Sequence, residues 1–127
     1  MYRILLIALG LAVVGGNSFA AGPALTAAEM KALLAKGLTL SSMDMEGGKV
    51  YTARIVLSAS GGLSGSLTSA GQAPIVLSGT WNLKAARLCR TLAPVQPEEI
   101  CETWLKSGAK EVVIQVDGKE VAINRWQ

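Results

Sequence analysis

Residues 110–126 read KEVVIQVDGKEVAINRW, and this stretch decides the class of fold. The pair Asp117-Gly118 lies between two short runs rich in valine and isoleucine. Asp-Gly between such runs is the strongest short-range signal of a β-hairpin with a two-residue turn. The stretch therefore predicts two antiparallel strands, at residues 111–116 and 121–126.

Similar patterns continue towards the N-terminus. Apolar segments separated by glycine, serine or proline turns occupy residues 38–45, 50–58, 63–68, 75–83, 87–92 and 101–105. About eight short strands at roughly 8–12-residue spacing are typical of an antiparallel sandwich or barrel. We therefore expect a mainly β domain, an antiparallel meander that forms a small curved sheet or a barrel. Gly65 and Gly79 each interrupt an apolar strand, which predicts bends or close approach of two backbones.

The connections between these strands carry turn signals. Gly47 and Gly48 predict a hairpin turn after the first strand. Residues 94–99 contain two prolines and two glutamates and are expected to form an acidic loop, and residues 107–108 a turn.

One short helix is predicted before the strands. Thr26 and Glu29 have the spacing of a capping box, with Thr26 as the N-cap. The expected helix covers residues 27–36 and stops at Gly37. Its apolar stripe must dock on the sheet, because so short a helix is not stable alone; the stripe consists of Met30, Leu33 and Leu34.

The first residues have the order of a secretory signal. Arg3 precedes an uncharged apolar run at residues 4–14, and Ser18 and Ala20 are the small residues at −3 and −1 of a cleavage after Ala20. The apolar run would span about half of a bilayer's hydrocarbon core. We expect residues 1–20 to be a signal peptide and residues 21–127 to form a single β-rich domain. The mature protein would be periplasmic or secreted, with no stable membrane anchor after cleavage.

Composition excludes several classes of function. The chain has 12 basic and 9 acidic residues, interspersed, with a net charge of +3. Because no run of like charge occurs, we expect no nucleic-acid partner. The sequence contains no histidine, which removes the usual general base, the commonest metal ligand and every Ser-His or Cys-His nucleophile pair.

Cys89 and Cys101 are the two cysteines of the chain. In an exported protein such a pair predicts one disulfide. Closing so short a loop stabilises a small domain by about 3 kcal/mol in the chain-entropy model.

Carboxylates and thioethers are the remaining candidates for chemistry. Two acidic groups, Asp44 with Glu46 and Glu98 with Glu99 and Glu102, are possible acid–base pairs of a glycosidase type. We favour a solvated surface for both groups, because buried acids are rare. The pair Met43 and Met45 suits Cu(I), but methionine more often fills a core. We therefore expect no catalytic residue, no metal and no cofactor.

The segment from Gly79 to Trp104 carries a resemblance. Gly79-Thr80-Trp81 is followed by Leu88-Cys89 and, a dozen residues later, by Cys101, and the chain closes with the Asp-Gly hairpin. In these features it resembles a family of small exported bacterial domains of unknown function. The resemblance implies a periplasmic location, a small curved sheet and the Cys89–Cys101 bridge, but no activity. We expect Trp81 to supply the large buried side chain beside that bridge.

A weaker similarity is to the lipocalin-like inhibitors of bacterial metalloproteases, which are also small, periplasmic and singly disulfide-bonded. It would imply protease inhibition. The chain departs from these inhibitors because its G-x-W lies in the middle of the sequence and its lead-in is followed by a helix.

These observations predict an exported, non-catalytic binding or envelope-accessory protein whose partner is an unidentified protein or a small apolar ligand. Three alternatives remain. An exposed, free segment at residues 21–28 would favour a protease inhibitor. A cavity lined by Ile55, Leu77 and Trp81 would favour a carrier of a small apolar ligand. Two convergent acids in a cleft would favour a hydrolase.

Overall fold

The computed structural model describes residues 21–46 and 49–127. In this part of the chain one helix precedes eight strands. The elements are α1 (Ala27–Leu34), β1 (Leu38–Glu46), β2 (Lys49–Leu57), β3 (Gly62–Ser69), β4 (Ile75–Lys84), β5 (Arg87–Leu92), β6 (Gln96–Gly108), β7 (Glu111–Val116) and β8 (Lys119–Arg125).

The eight strands form a closed antiparallel barrel. Each strand pairs with the next one along the chain, and β8 pairs with β1 to close the sheet. Closure gives every strand a hydrogen-bonding neighbour on both sides. The expected mainly β antiparallel fold is confirmed, and of the two forms that the sequence left open the chain adopts the barrel.

The Asp-Gly hairpin forms as expected. Val116 pairs with Lys119 across the turn, and Asp117 and Gly118 both have positive φ, at 50° and 79°. Positive φ at both central residues is the type I′ arrangement that matches the twist of the flanking strands. The predicted turn at Gly47 and Gly48 lies outside the described residues.

The two mid-strand glycines mark places where backbones touch. A Cβ atom added at Gly65 would collide with the carbonyl of Arg54, and one added at Gly79 with the carbonyl of Thr91. The expected close approach is therefore confirmed at both positions.

Strand β6 is longer than expected, and the predicted acidic loop at residues 94–99 is wrong from Gln96 onwards. Gln96 already pairs with Leu92. The register between β5 and β6 shifts between this pair and the pair of Arg90 with Ile100. Pro97 lies at this irregularity, where a missing backbone N–H is tolerated. Glu98 and Glu99 remain exposed although they belong to the strand. At its other end β6 continues through residues 107–108, which are strand and not the predicted turn.

The capping box of α1 is confirmed. The backbone N–H of Glu29 donates to Oγ1 of Thr26 over 3.1 Å, and the backbone N–H of Thr26 donates to Oε1 of Glu29 over 2.9 Å. The helix ends at Leu34, two residues before the predicted end. Gly37 has a φ of 81° and leads the chain into β1.

Helix α1 covers one end of the barrel. Met30 and Leu34 are buried in the same core cluster as Leu57, at the end of β2, and Leu63, near the start of β3. Lys106, near the end of β6, forms a 2.8 Å ion pair with Glu29. The helix therefore closes the end at which β1 begins.

The segment before the helix lies along β6. Its backbone makes three hydrogen bonds with that strand: Gly22 N to Lys106 O at 2.6 Å, Lys106 N to Pro23 O at 2.9 Å and Leu25 N to Trp104 O at 2.8 Å. The predicted signal peptide, residues 1–20, lies outside the described residues. Among the helical residues described, none belongs to a segment long and apolar enough to cross a bilayer.

Candidate functional site: the barrel interior

The inner face of the barrel encloses a cavity of about 620 Å³. Side chains alternate between the two faces of a strand, so every second residue of each strand points inwards. Most inward residues are aliphatic; those lining the cavity include Leu40, Ile55, Leu57, Leu63, Leu67, Leu77, Leu88 and Ile114. In the described part of the chain the interior is therefore mainly apolar and is not filled by side chains.

The cavity opens at the end opposite α1. Ile75, Val95 and Val121 line it there, next to the hairpins that join β3 to β4, β5 to β6 and β7 to β8. Their exposed fractions are 39%, 41% and 39%. Apolar side chains exposed around an opening are one feature of ligand-binding grooves.

An ion pair is buried inside the barrel. Nε of Arg90 on β5 donates to Oε2 of Glu102 on β6 over 2.6 Å, and the two side chains are 15% and 6% exposed. The indole N–H of Trp104 donates to the other oxygen, Oε1, over 2.9 Å. Nη1 of Arg90 donates to Oε1 of Gln96 over 2.8 Å. Both carboxylate oxygens of Glu102 are thus bonded and its charge is compensated by a neighbouring cation, which is the condition for burying such a group.

The burial of Glu102 corrects the expectation of a solvated acid. Glu102 is only 5% exposed. It lies between Ile100 and Trp104 on the inner face of β6, and Arg90 supplies the charge that makes burial tolerable. Glu102 is close to Glu98 and Glu99 in the sequence, but it is buried whereas those two are exposed.

The other candidate acids lie outside the interior or at its mouth. Glu98 and Glu99 are exposed. The Lys84 ammonium donates to Glu99 over 2.6 Å, and this hydrogen bond lowers the pKa of Glu99 below its usual 4.5. Asp44 is exposed and contributes to the cavity lining. The side chain of Glu46 lies outside the described residues.

Asn124 on β8 is a polar side chain that sequence reasoning missed. It is 5% exposed, it lines the cavity, and its Oδ1 has no hydrogen-bond partner among the described residues. Buried polar atoms without a partner are uncommon in folded proteins. In the sequence, Asn124 lies two residues after Ala122, and this spacing on a strand indicates that both side chains point inwards. Oδ1 of Asn124 therefore adds one hydrogen-bond acceptor to the mainly apolar lining.

The expected disulfide is present. Cys89 and Cys101 are bonded and are opposite each other on β5 and β6. Glu99 lies within 4.8 Å of both sulfur atoms. These sulfurs are committed to the disulfide and Glu99 to Lys84, so the group does not offer the thiolates that a soft metal needs. Of the methionine pair, Met43 pairs with Ile123 on the outer face of the barrel, and the side chain of Met45 lies outside the described residues.

The tryptophans divide differently from the expectation. Trp81 is partly buried, packs against the core and donates its indole N–H to Ser58 O over 2.9 Å. The almost fully buried tryptophan is Trp104, which is 1% exposed and stacks on Trp126 with ring centroids 6.3 Å apart.

The residues that would distinguish a ligand carrier from a protease inhibitor are among those described. Ile55 and Leu77 line the cavity as a carrier requires, whereas Trp81 does not. The start of the segment proposed to enter a protease cleft is bonded to β6 through Gly22 and Pro23, so the structure does not leave it free.

Searches of protein-family models, of curated proteins and of solved structures each found no match to the chain. The resemblance carried by Gly79-Thr80-Trp81 and the two cysteines stays a prediction.

Proposed function

We propose that the chain is an exported, non-catalytic binding protein that carries one small, mainly apolar molecule inside its barrel. The observation that carries this proposal is the apolar cavity of about 620 Å³. Pockets for small-molecule ligands measure roughly 300–1,000 Å³ and combine apolar walls with a few polar groups. An eight-stranded barrel has the diameter at which one small ligand fits inside.

The arrangement supports uptake of a ligand from the open end. The rim residues Ile75, Val95 and Val121 are about two-fifths exposed, so part of their apolar surface contacts water. A ligand that covers apolar surface gains roughly 25 cal/mol per Å² removed from water. At the opposite end α1 and its buried Met30 and Leu34 close the barrel. Entry is therefore expected between the hairpins.

The interior chemistry supports binding rather than catalysis. A general acid or base must exchange a proton with the substrate and needs a free position to do so. Both oxygens of Glu102 are occupied, by Arg90 and by Trp104. The disulfide and the signal-like residues 1–20 support export.

The test is a titration of the exported, disulfide-bonded protein with Nile red, an uncharged apolar dye whose fluorescence rises on leaving water. The proposal expects saturable binding of one dye per chain. Ala53→Phe fills the cavity from the inner face of β2, where Ala53 lines it, and should abolish this binding. Thr52→Phe places the same side chain at the exposed neighbouring position and is the matched control.

Dye binding that survives Ala53→Phe, in a variant whose thermal unfolding remains cooperative, would move the site out of the barrel. Failure of the wild-type protein to bind the dye would reject the carrier proposal.

A further inference from the structure

We infer that the ligand of the barrel is an uncharged amphiphile whose hydroxyl group donates a hydrogen bond to Asn124. This inference rests on the proposed function and names the class of molecule that the cavity selects. It is carried by two observations: the unpaired oxygen of Asn124, and the balance of charge in the cavity lining.

The unpaired oxygen specifies a hydrogen-bond donor. Within residues 21–46 and 49–127, Oδ1 of Asn124 is buried and has no hydrogen-bond partner, and the residue is more than nine-tenths buried. A buried acceptor without a donor loses the hydrogen bonds that it makes to water in the unfolded chain. A ligand hydroxyl at this position restores one of them, whereas a hydrocarbon or an ether oxygen does not.

Asn124 is placed for recognition in an apolar setting. On β8 it shares the inner face with Ala122, and its neighbours across the strands are Val112 on β7 and Ser42 on β1. Ser42 also lines the cavity. A ligand would therefore meet two short polar side chains on adjacent strands and mainly aliphatic side chains elsewhere.

The charge in the lining disfavours an anionic ligand. Among the described residues that line the cavity, Arg90 is the one cation, and Asp44 and Glu102 are the carboxylates. The charge of Arg90 is already compensated by Glu102 at 2.6 Å. A ligand carboxylate would add a further negative charge to an interior of low dielectric constant, where like charges repel more strongly than in water. A fatty acid is thus a poorer match than the corresponding alcohol.

A positively charged ligand is disfavoured for a different reason. An ammonium group placed beside Asn124 would lose its hydration among aliphatic side chains, and one amide oxygen does not replace it. The Asp44 carboxylate also lines the cavity but is exposed, so solvent screens its attraction for such a group. An uncharged hydroxyl has a much smaller desolvation cost and gains the same acceptor.

The experiment measures competition against bound Nile red by four ligands with the same ten-carbon chain: 1-decanol, 1-methoxydecane, decanoic acid and decylamine. For the wild-type protein we expect decanol to displace the dye at a roughly ten-fold lower concentration than methoxydecane, because one hydrogen bond to a buried acceptor is at stake. Decanoic acid and decylamine at pH 7 should be weaker than decanol.

Asn124→Leu removes the acceptor and keeps a side chain of similar size. The variant should bind Nile red and methoxydecane at least as well as the wild type and lose the preference for decanol. Ser41→Ala, at the exposed neighbouring position of β1, is the matched control and should keep that preference. Because the comparison of decanol with methoxydecane is made first in the wild type, the inference is tested even if Asn124→Leu does not fold.

The outcomes separate the two proposals. Dye binding with no preference for decanol over methoxydecane overturns the role of Asn124 and leaves the carrier function standing. Tighter binding of decanoic acid or decylamine overturns the charge argument. Retention of the preference in folded Asn124→Leu overturns the role of Asn124 and assigns the hydroxyl to another side chain of the lining. If neither the dye nor any of the four ten-carbon ligands binds, both proposals are rejected.

Discussion

Arg90 and Glu102 join strands β5 and β6 inside the barrel through a 2.6 Å contact between Nε and Oε2. They are diagonal neighbours, because Arg90 pairs with Ile100 and Glu102 pairs with Leu88. The cystine lies between these two pairs in the same ladder but on the opposite face. One register of two strands thus fixes both the disulfide and the buried ion pair.

The ion pair gives the first prediction. Arg90→Met removes the cation and leaves the Glu102 carboxylate buried, which should lower the free energy of unfolding by about 3–5 kcal/mol. Adding Glu102→Gln removes the stranded charge while keeping an acceptor for Trp104, so the double variant should recover much of the loss. The free energies of unfolding of the wild type, of Arg90→Met and of the double variant are measured by urea denaturation.

Lys84→Met is the control for these variants. It breaks the ion pair between Lys84 and Glu99, whose side chains are 54% and 41% exposed. Solvent screens such pairs, so the change in stability should be slight. Equal stability of Arg90→Met and the wild-type protein would contradict a buried, compensated carboxylate.

The disulfide gives the second prediction. Cys89→Ala with Cys101→Ala removes the cross-link without burying a new hydroxyl at Cys89, which is fully buried. The unfolding free energy should fall by about 2–4 kcal/mol, and reduction of the wild-type protein should cause a similar loss. Non-reducing peptide mapping should recover the two cysteines in one cross-linked species. Two free thiols in protein taken from the periplasm would count against the assignment.

The contact between β4 and β5 gives the third prediction. In Gly79→Ala the new Cβ meets the carbonyl of Thr91, and a backbone atom cannot rotate out of the way as a side chain can. Overpacking of this kind costs about 1–3 kcal/mol or more. Ser78→Ala, at the exposed adjacent position, is the control and should change the urea midpoint little. A stable, wild-type-like Gly79→Ala barrel would show that the two strands separate easily.

Local signals were enough to predict most of the strands. The Asp117-Gly118 turn, the capping box at Thr26 and the two mid-strand glycines depend on residues that are close in sequence or on the absence of a side chain. Closure of the barrel was not predictable in this way. It depends on the pairing of β1 with β8, between Ser41 and Arg125 for example, and no local pattern records a contact between the two ends of a domain.

The buried polar groups were missed although a signal existed. Glu102 lies between Ile100 and Trp104 at a period of two, and Arg90 lies in the same way between Leu88 and Leu92. Once Cys89 is opposite Cys101, this alternation puts both charges on the face away from the disulfide. A glutamate close to other glutamates in the sequence is predicted to be exposed when only composition is considered. Its burial becomes predictable only when the face of the strand that each residue occupies is considered as well.

Export gives the fourth prediction. The signal pattern places the cleavage after Ala20, so the intact mass of the protein recovered from the periplasm or the medium should correspond to residues 21–127. Replacing Ala20 with a bulky residue should block processing, because the peptidase requires a small residue at −1. A soluble exported product that retains Met1 would be inconsistent with this interpretation.

Acid sensitivity gives the last prediction. Glu111 accepts two hydrogen bonds: Nε of Arg125 donates to its Oε1 over 2.6 Å, and the Ser107 hydroxyl donates to its Oε2 over 3.0 Å. These hydrogen bonds, with that from Arg125 the larger cause, lower the pKa of Glu111 below its usual 4.5. A carboxyl whose pKa is lower in the folded than in the unfolded chain stabilises the fold above the unfolded value. That contribution is lost as the pH falls through the folded value.

Glu111→Gln should therefore be less stable than the wild type near neutral pH, and its stability should fall less steeply as the pH is lowered through 4.5 and below. The two unfolding curves should converge in acid. Glu120→Gln makes the same change in net charge at an exposed position of β8 and is the control. Parallel curves for Glu111→Gln and the wild type across this range would mean that the Arg125 contact does not persist in solution.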